Sequence, residues 1–159
     1  MSKRTRATEM LDIANVAYSL HTYDYDPGAE RIGVQAAEAL GVPAGQVLKT
    51  LMILVDGKPA CAVVPSDCEL SMKKLSSALG GKSAQMMKPA DAERITGFKV
   101  GGISPFGQKR DVPTVLEEQA LVWESVFVNG GQRGLQIRLD PRQIPLVLKA
   151  KVASLIALA

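Results

Sequence analysis

The sequence is poor in the residue types that build metal centres and disulfide scaffolds. Its 159 residues include one histidine, His21, and two cysteines, Cys61 and Cys68. Two cysteines are far too few for a disulfide framework, and a lone histidine without further clustered ligands predicts no metal site. Cys61 lies in an apolar run, so we interpret it as a small buried side chain and not as a reactive thiol.

Long apolar runs and a dominant charge are missing as well. No stretch approaches the roughly 18 apolar residues of a membrane-spanning helix, and no apolar segment follows the basic residues Met1–Arg6, as it would in a secretory signal. We therefore expect a cytoplasmic protein with no membrane association. The 19 Lys and Arg against 16 Asp and Glu give a formal charge of +3, which is compatible with a polyanionic partner but does not demand one.

What the sequence does contain is enough apolar material for one core. Hydrophobic residues make up 47% and charged residues 22%, which argues against wholesale disorder. A chain of this length buries roughly two-thirds of the surface that its unfolded form exposes. With no linker-like or repeated segment, we expect one domain over residues 1–159.

Hydrophobic spacing and turn chemistry predict an α+β fold. Helices are predicted over residues 6–16, over 32–40, from the N-cap Ser71 through Leu79, over Pro89–Thr96, and from Asp140-Pro141 to an end among Lys149 to Ala159. Strands are predicted over Tyr18–Tyr23, Val47–Val55, Lys58–Val64, Ser83–Met87, Val112–Leu116, Leu121–Val128 and Leu135–Leu139. Asp56-Gly57 favours a tight hairpin turn. We therefore expect a single compact domain with a mixed, mostly antiparallel, barrel-like sheet flanked by short helices.

Lys49 is the most unusual residue of the strand Val47–Val55. The side-chain period of two places it on the same face as Val47, Leu51 and Ile53. Lysine is almost never fully buried unless it is paired, and desolvation lowers its pKa. A cation in such a pocket suits the stabilisation of developing negative charge, or proton transfer. The alternative is a lysine at the wet end of the strand, or one that snorkels to the surface.

Residues 101–107, which we call the glycine-rich loop, read Gly-Gly-Ile-Ser-Pro-Phe-Gly. Glycine lets a main chain approach a ligand closely, and the N–H groups of such a loop could bind a carbonyl or phosphate oxygen. The spacings match neither a phosphate loop nor a dinucleotide fingerprint, so no cofactor is predicted. The alternative is an ordinary connection between two elements.

His21 and the basic residues carry weaker signals. A Ser–His–acid arrangement around His21 stays open, but no nucleophile-elbow motif supports it, and a structural histidine is the preferred interpretation. Basic residues cluster loosely at Lys73-Lys74, at Lys109-Arg110, and at Arg133 with Arg138 and Arg142. Such clusters either neutralise the phosphates of a nucleic acid or form ordinary solvated faces. With three Phe, three Tyr and one Trp, no aromatic platform for stacking bases is evident.

Four segments, taken in chain order, carry a family pattern. They are His21-Thr22-Tyr23, Leu48-Lys49-Thr50-Leu51, Thr96–Lys109 and Gly130–Leu135. Together they resemble the YbaK family of small free-standing Cys-tRNA(Pro) deacylases, which are related to the editing domain inserted in bacterial prolyl-tRNA synthetases. The resemblance covers nearly the whole chain, and Thr96–Lys109 is its most specific part.

The resemblance implies trans-editing, in which a separate enzyme cleaves the ester of cysteine mischarged onto the proline tRNA. It implies Lys49 as the essential pocket lysine, and the following substrate-binding residues: Tyr23, Thr50, Gly101, Gly102, Ile103, Ser104 and Pro105. The implied partners are the tRNA and, transiently, prolyl-tRNA synthetase, without a cofactor. In this family the substrate thiol is thought to attack its own ester. That agrees with a sequence offering a cation and backbone donors but no nucleophile–base pair.

Gln136 is a departure from the pattern, because some relatives carry an acidic residue there. Because of this departure, the amino acid that the substrate tRNA carries stays undecided. One alternative is an editing deacylase for another small amino acid such as alanine, and a second is a non-catalytic module that binds tRNA or a synthetase. A weaker alternative makes Lys49 a Schiff-base residue.

Overall fold

The computed structural model describes residues 4–28 and 31–157, and these form five α-helices and eight strands. The helices are α1 (Arg6–Ile13), α2 (Ile32–Leu40), α3 (Met72–Ala78), α4 (Pro89–Thr96) and α5 (Gln143–Leu148). The strands are β1 (Ser19–Thr22), β2 (Leu48–Val55), β3 (Lys58–Pro65), β4 (Ala84–Met86), β5 (Thr114–Glu117), β6 (Val126–Asn129), β7 (Leu135–Leu139) and β8 (Lys151–Ala153). Within this described part, no helix has the length and hydropathy to cross a membrane.

The strands form two sheets. One has the order β1-β7-β6 and is antiparallel throughout. The other has the order β4-β2-β3-β5-β8, with antiparallel pairs on the β2 side and parallel pairs from β3 to β5 and from β5 to β8. A single parallel bridge between Val47 and Phe127 joins the sheets. The expected α+β fold with a mixed, mostly antiparallel sheet is confirmed, although no closed barrel forms in the described residues.

The hairpin of β2 and β3 is the centre of the larger sheet. Its turn has positive φ at both central residues, 49° at Asp56 and 80° at Gly57, as the Asp-Gly sequence predicts. The Asp56 carboxylate also accepts hydrogen bonds from the main-chain N–H groups of Lys82 and Ser83 at 3.0–3.2 Å. The turn therefore fixes the register of β2 and β3 and anchors the segment that leads into β4.

Both faces of this hairpin are buried. Met52 faces the larger apolar cluster together with Phe106, and Ile53 faces a second cluster with Leu75 of α3. Phe106, Ile53 and Leu75 are fully buried, and full burial of such a side chain contributes about 1.5–3 kcal/mol. Cys61 of β3 is also fully buried, and burial raises the pKa of its thiol to about 12. The prediction that Cys61 is a structural side chain is confirmed.

The predicted strand Leu121–Val128 is wrong in its first half. A 3-10 helix covers Glu118–Val122, and the strand is only Val126–Asn129. The 3-10 helix begins because the Glu117 carboxylate accepts the N–H of Gln119 at 2.7 Å, which caps a helical turn. The predicted strand Val112–Leu116 is likewise shifted to Thr114–Glu117.

The predicted terminal helix forms, but it begins later than predicted and is short. It is only Gln143–Leu148, and its N-cap is Arg142, because Asp140 instead accepts the N–H of Arg142 at 2.9 Å in a turn that precedes the helix. Lys149 adopts a left-handed conformation, with φ of 54°, and ends it. The chain then pairs with β5 as β8. The last predicted positions, near Ala159, lie outside the described residues, as do the first three residues of the basic N-terminus.

The predicted first helix, residues 6–16, is too long by one turn. Helix α1 ends at Ile13, and Ala14 is its C-cap. Asn15 then takes a left-handed conformation, with φ of 58°, which an isolated asparagine tolerates better than most residues. The other helices begin and end within one residue of the predicted limits.

A buried carboxylate ties the end of β5 to the C-terminal segment. Glu117 is 1% exposed. Its two oxygens accept the N–H of Gln119 and the N–H of Leu155, each at 2.7 Å. Leu155 in turn accepts the N–H of Ser71, the N-cap of α3, through its carbonyl at 2.7 Å. This chain of bonds holds the 3-10 helix, the C-terminal segment and α3 together.

We predict that Glu117→Gln lowers the free energy of unfolding by about 1.5–3 kcal/mol, because one of two charge-assisted hydrogen bonds is lost and a buried N–H meets an amide donor. Urea unfolding followed by circular dichroism measures the change. Glu118→Gln is the matched control, because Glu118 is an exposed neighbour. Equal stability of the two variants would contradict the anchoring role of Glu117.

Candidate active site

A cavity of about 480 Å³ opens beside the first half of β2. Strand β4 pairs only with Ile53–Val55, so the preceding residues of β2 have no neighbouring strand on that side. The cavity occupies this gap. The lining residues that matter most below are Lys49, Thr50, Gly101, Ile103, Asn129 and Gln136.

The open edge of β2 presents main-chain groups to the cavity. The residues that flank a two-residue hairpin turn exchange hydrogen bonds, here Val55 and Lys58. Alternate residues of β2 therefore bond to β3, and those between point the other way. The N–H of Met87 donates to the carbonyl of Met52 at 3.1 Å on that outer side. Two residues earlier, the N–H and C=O of Thr50 lie on the same side, where β4 has ended.

Lys49 is half-buried in the cavity wall. It pairs with Val64 in the β2–β3 ladder and shares a face with Ile53, the arrangement that the sequence predicts. Burial lowers the pKa of Lys49, Glu69 opposes this effect, and the positive charge of Arg31 adds to it. Within the described residues Lys49 has no ion pair shorter than 4.0 Å. The cavity therefore contains a partly desolvated cation without a fixed counterion.

The glycine-rich loop supplies the opposite wall through two of its residues. Gly101 and Ile103 line the cavity, whereas Gly102, Ser104 and Pro105 are buried and lie behind them. Ser104 accepts the N–H of Phe106 through its hydroxyl oxygen at 3.2 Å, so its side chain shapes the loop. Of the five loop residues predicted to bind substrate, the structure brings two to the cavity surface.

Glycine is required at two consecutive loop positions. Gly101 has φ of 88°, a conformation that strains any other residue, and a Cβ there would collide with the Tyr25 hydroxyl. A Cβ on Gly102 would lie 2.9 Å from the main-chain nitrogen of Arg133. The loop is thus packed against its neighbours without space for a side chain, and its backbone shape is fixed.

Three buried polar atoms near the cavity have no hydrogen-bond partner in the described part of the chain. They are the Tyr23 hydroxyl, Thr50 Oγ1 and Gln136 Oε1. Burial raises the pKa of Tyr23, and the nearby Gln136 amide opposes that shift, although the two side chains lack the geometry of a full hydrogen bond. An unsatisfied buried polar group costs about 1–3 kcal/mol. Such a cluster is typical of a site that a polar ligand completes.

Tyr23 and His21 lie outside the cavity lining. Tyr23 packs against the small cluster that includes Val47 and Phe127. His21 stacks edge-on against Phe127 at 5.4 Å, and its Nε2 lies 2.8 Å from the Ser19 hydroxyl. This position agrees with a structural histidine. The residues from 4 to 28 and from 31 to 157 contain no group of three His, Cys, Asp or Glu placed to hold a metal ion.

The sequence does not single out Asn129, Arg31 or Glu69, yet all three line the cavity. The only signal for Asn129 is its position directly before Gly130-Gly131, a place where asparagine side chains often bond the following backbone. No local pattern marks Arg31 or Glu69, because they reach the cavity only through the packing of α2 and the segment after β3.

The sequence comparisons place this chain in a class of tRNA-editing proteins. Residues 26–145 match the family described as "Aminoacyl-tRNA editing domain", and the chain belongs to this family. The chain is 37% identical over 145 residues to EbsC of Enterococcus faecalis, which carries the name of a Cys-tRNA(Pro)/Cys-tRNA(Cys) deacylase. That match covers 89% of this chain and 87% of EbsC.

Two other comparisons agree with this family. The proline–tRNA ligase of Nitratidesulfovibrio vulgaris (strain Hildenborough) is 41% identical over 107 residues, which are 67% of this chain but only 18% of the ligase. A solved structure described as a trans-editing enzyme for prolyl-tRNA synthetase superposes with a TM-score of 0.80 at 24% identity, covering 96% of this chain and 95% of that one. The structural likeness shows a shared fold.

We predict that Lys49→Met leaves the protein at least as stable as the wild type at pH 7. Burial lowers the pKa of Lys49, so the folded state binds this proton less tightly than the unfolded state does. The charged lysine therefore destabilises the fold at every pH below its lowered pKa, and the penalty disappears as pH rises towards the ordinary lysine value.

Thermal unfolding at pH 7 and pH 10 measures this effect. The advantage of Lys49→Met over the wild type should shrink at the higher pH. Lys58→Met, at the exposed tip of the same hairpin, is the control and should show no such trend. A Lys49→Met protein that melts well below the wild type at pH 7 would show that the lysine stabilises the fold.

Proposed function

We propose that this protein is a trans-editing deacylase that cleaves the aminoacyl ester of Cys-tRNA(Pro). The observation that carries the proposal is the convergence of Lys49, Gly101 and Ile103 on one cavity, in a chain that belongs to the aminoacyl-tRNA editing family. The name carried by EbsC and the match to proline–tRNA ligases support the same substrate. The cavity contains a cation and backbone donors, which suit the stabilisation of an ester oxyanion.

The substrate itself supplies the nucleophile in this proposal. The cysteine sulfur attacks its own ester carbonyl, a C–S bond forms, and the bond between that carbonyl carbon and the ribose oxygen breaks. The thiol proton ends on the leaving ribose hydroxyl. The products are free tRNA and a cysteine thiolactone, which water then opens to cysteine. Holding the two reacting groups together accounts for much of the rate gain in such intramolecular reactions.

The protein side chains around the cavity are suited to a reaction in which the substrate supplies the nucleophile and the protein stabilises charge. Lys49 stabilises the negative charge on the tetrahedral intermediate, and its lowered pKa makes it a better proton donor to the leaving oxygen. Cys68 has no role as a nucleophile in this proposal, because it is not among the residues that line the cavity, and burial, with a further contribution from its hydrogen bond to Asp67, raises the pKa of its thiol. Ser104 already uses its hydroxyl within the loop.

The other predicted substrate-binding residues differ in how directly they contact the substrate in this proposal. Thr50 presents both its main chain and its hydroxyl near the aminoacyl group, while Gly102, Ser104 and Pro105 set the shape of the loop. Tyr23 acts from behind the cavity through the buried corner that it shares with Gln136. In this proposal residues 1–159 form one editing domain. It works in the cytoplasm on charged tRNA and meets prolyl-tRNA synthetase in a transient complex.

Gln136 favours a second candidate, an editing deacylase for a different small amino acid such as alanine. The residue is 3% exposed, lines the cavity and has an unpartnered Oε1. A neutral amide at this place changes the polarity of the pocket where some relatives carry a carboxylate. An amino acid without a thiol requires attack by water or by a ribose hydroxyl, so the two candidates differ in mechanism as well as in substrate.

We predict that Lys49→Ala lowers kcat for deacylation of Cys-tRNA(Pro) by about 10²–10³-fold, the usual loss when one stabiliser of the oxyanion is removed. Release of labelled cysteine from purified Cys-tRNA(Pro) measures this rate. Lys58→Ala controls for the loss of a lysine from the same hairpin and should keep wild-type activity. Full activity of a folded Lys49→Ala protein would remove Lys49 from the mechanism.

A second prediction separates thiol-assisted cleavage from attack by water. Methylation of the substrate thiol should lower turnover of Cys-tRNA(Pro) by about 100-fold or more, because the intramolecular nucleophile is lost. Ala-tRNA(Pro) and Ser-tRNA(Pro) are assayed beside it, since both fit a pocket of this size without a thiol. Equal turnover of the methylated substrate would exclude thiol assistance, and rapid cleavage of Ala-tRNA(Pro) would favour the second candidate.

A further inference from the structure

Asn129 lies where the cavity, the glycine-rich loop and the β6–β7 turn meet. It is the last residue of β6 and is 9% exposed. Its Nδ2 donates to the carbonyl of Gly101 at 3.1 Å. Its Oδ1 accepts the N–H groups of Gly131 at 2.7 Å and Gln132 at 3.3 Å. Both ends of one side chain are thus used, and they join the loop to the turn.

Arg133 makes a second connection from the same turn. Its Nε donates to the carbonyl of Val100 at 2.9 Å, and its guanidinium lies 5.3 Å from the centre of the Tyr25 ring. Two consecutive carbonyls at the start of the glycine-rich loop, those of Val100 and Gly101, are therefore held by the side chains of Arg133 and Asn129 at the β6–β7 turn.

These two bonds determine where the N–H groups of Gly101 and Gly102 point. A peptide unit is planar, so the bond to the Val100 carbonyl sets the direction of the Gly101 N–H on the other side of the same plane. The bond to the Gly101 carbonyl fixes the next plane, whose Gly102 N–H donates to Lys99 at 2.8 Å. The N–H groups of Gly101 and Ile103 meet no acceptor among the residues that the structure describes, which leaves them free for a ligand.

We propose that Asn129 is a positioning residue for deacylation and that Arg133 assists it. Asn129 touches no reacting atom, and it acts by holding the Val100–Gly102 peptide planes so that the Gly101 N–H meets the ester oxygen as negative charge develops. This proposal rests on the proposed function, because the ester towards which the loop N–H is oriented is the ester of Cys-tRNA(Pro). A misplacement of about 1 Å in such a donor can cost about 100-fold in rate.

The test is Asn129→Asp, which keeps the size and the acceptor for Gly131 and Gln132 but removes the donor to Gly101. A carboxylate oxygen then faces the Gly101 carbonyl and repels it. We expect kcat for Cys-tRNA(Pro) to fall by about 100-fold. Affinity for a non-hydrolysable analogue, with cysteine in amide linkage to a 3′-amino adenosine, should stay within about threefold. Gln132→Ala is the control, because its exposed side chain makes no hydrogen bond in the described residues.

The outcomes separate this proposal from the function on which it rests. A wild-type protein that does not deacylate Cys-tRNA(Pro) refutes the function. If the wild type is active and Asn129→Asp has the same kcat, the positioning role is overturned. The role is also overturned if Asn129→Asp loses as much affinity for the analogue as it loses in kcat/KM. Such a result would mean that Asn129 contributes equally to binding of the substrate and of the transition state. If Asn129→Asp does not fold, the exposed residue Arg133 is tested instead, as Arg133→Gln. A reduced kcat with unchanged affinity for the analogue supports the proposal, and a wild-type kcat overturns it.

Discussion

The site depends on the point at which β4 stops pairing with β2. Three residues of β2 pair with β4, the Met52 carbonyl accepts the N–H of Met87, and the edge is open at Thr50. An open strand edge normally exposes unpaired N–H and C=O groups that invite association with other chains. Here the glycine-rich loop and the start of α2 flank the edge, so the main-chain groups of Thr50 face a half-open cavity and not a flat surface. The shortness of one strand thus creates both the space and the polarity of the site.

The cavity also concentrates features that work against stability. It includes a half-buried lysine whose pKa is lowered, and two buried polar atoms, Thr50 Oγ1 and Gln136 Oε1, that have no hydrogen-bond partner among the described residues. Each is unfavourable by itself, and the fold offsets them through the buried apolar side chains on both faces of the β2–β3 hairpin. Natural proteins break the rules of consistent packing mainly at functional sites. The distribution of unfavourable groups is therefore independent support for the location of the site.

Local chemistry explains which parts of the structure could be predicted from sequence. The bounds of α2 and the β2–β3 turn follow from Gly41 and Asp56-Gly57, whose conformations are decided by their immediate neighbours. The face of Lys49 follows from the period of two. The family resemblance then brought Lys49 and the glycine-rich loop into one site, which no spacing along the chain could do.

Some failures come from local bonds, such as the one from Gln119 to Glu117 that begins the 3-10 helix, and others involve contacts between residues far apart in sequence. The Glu117 carboxylate also bonds to Leu155, 38 residues away. Strand β8 exists because β5 offers an edge, although the local sequence favours continuation of a helix. Asn129 reads as an ordinary turn residue until the fold places Gly101 beside it. Periodicity contains no information about such partners.

The single bridge between Val47 and Phe127 has a consequence for how this family can diversify. Lys49 and Thr50 come from one sheet, and Asn129 and Gln136 come from the other. The two walls of the cavity therefore belong to different sheets. Among the described residues the side chain of Gln136, unlike that of Asn129, makes no hydrogen bond to the glycine-rich loop. A substitution at Gln136 therefore changes the lining of the pocket while the strand that carries the lysine and the bonds that hold the loop stay as they are.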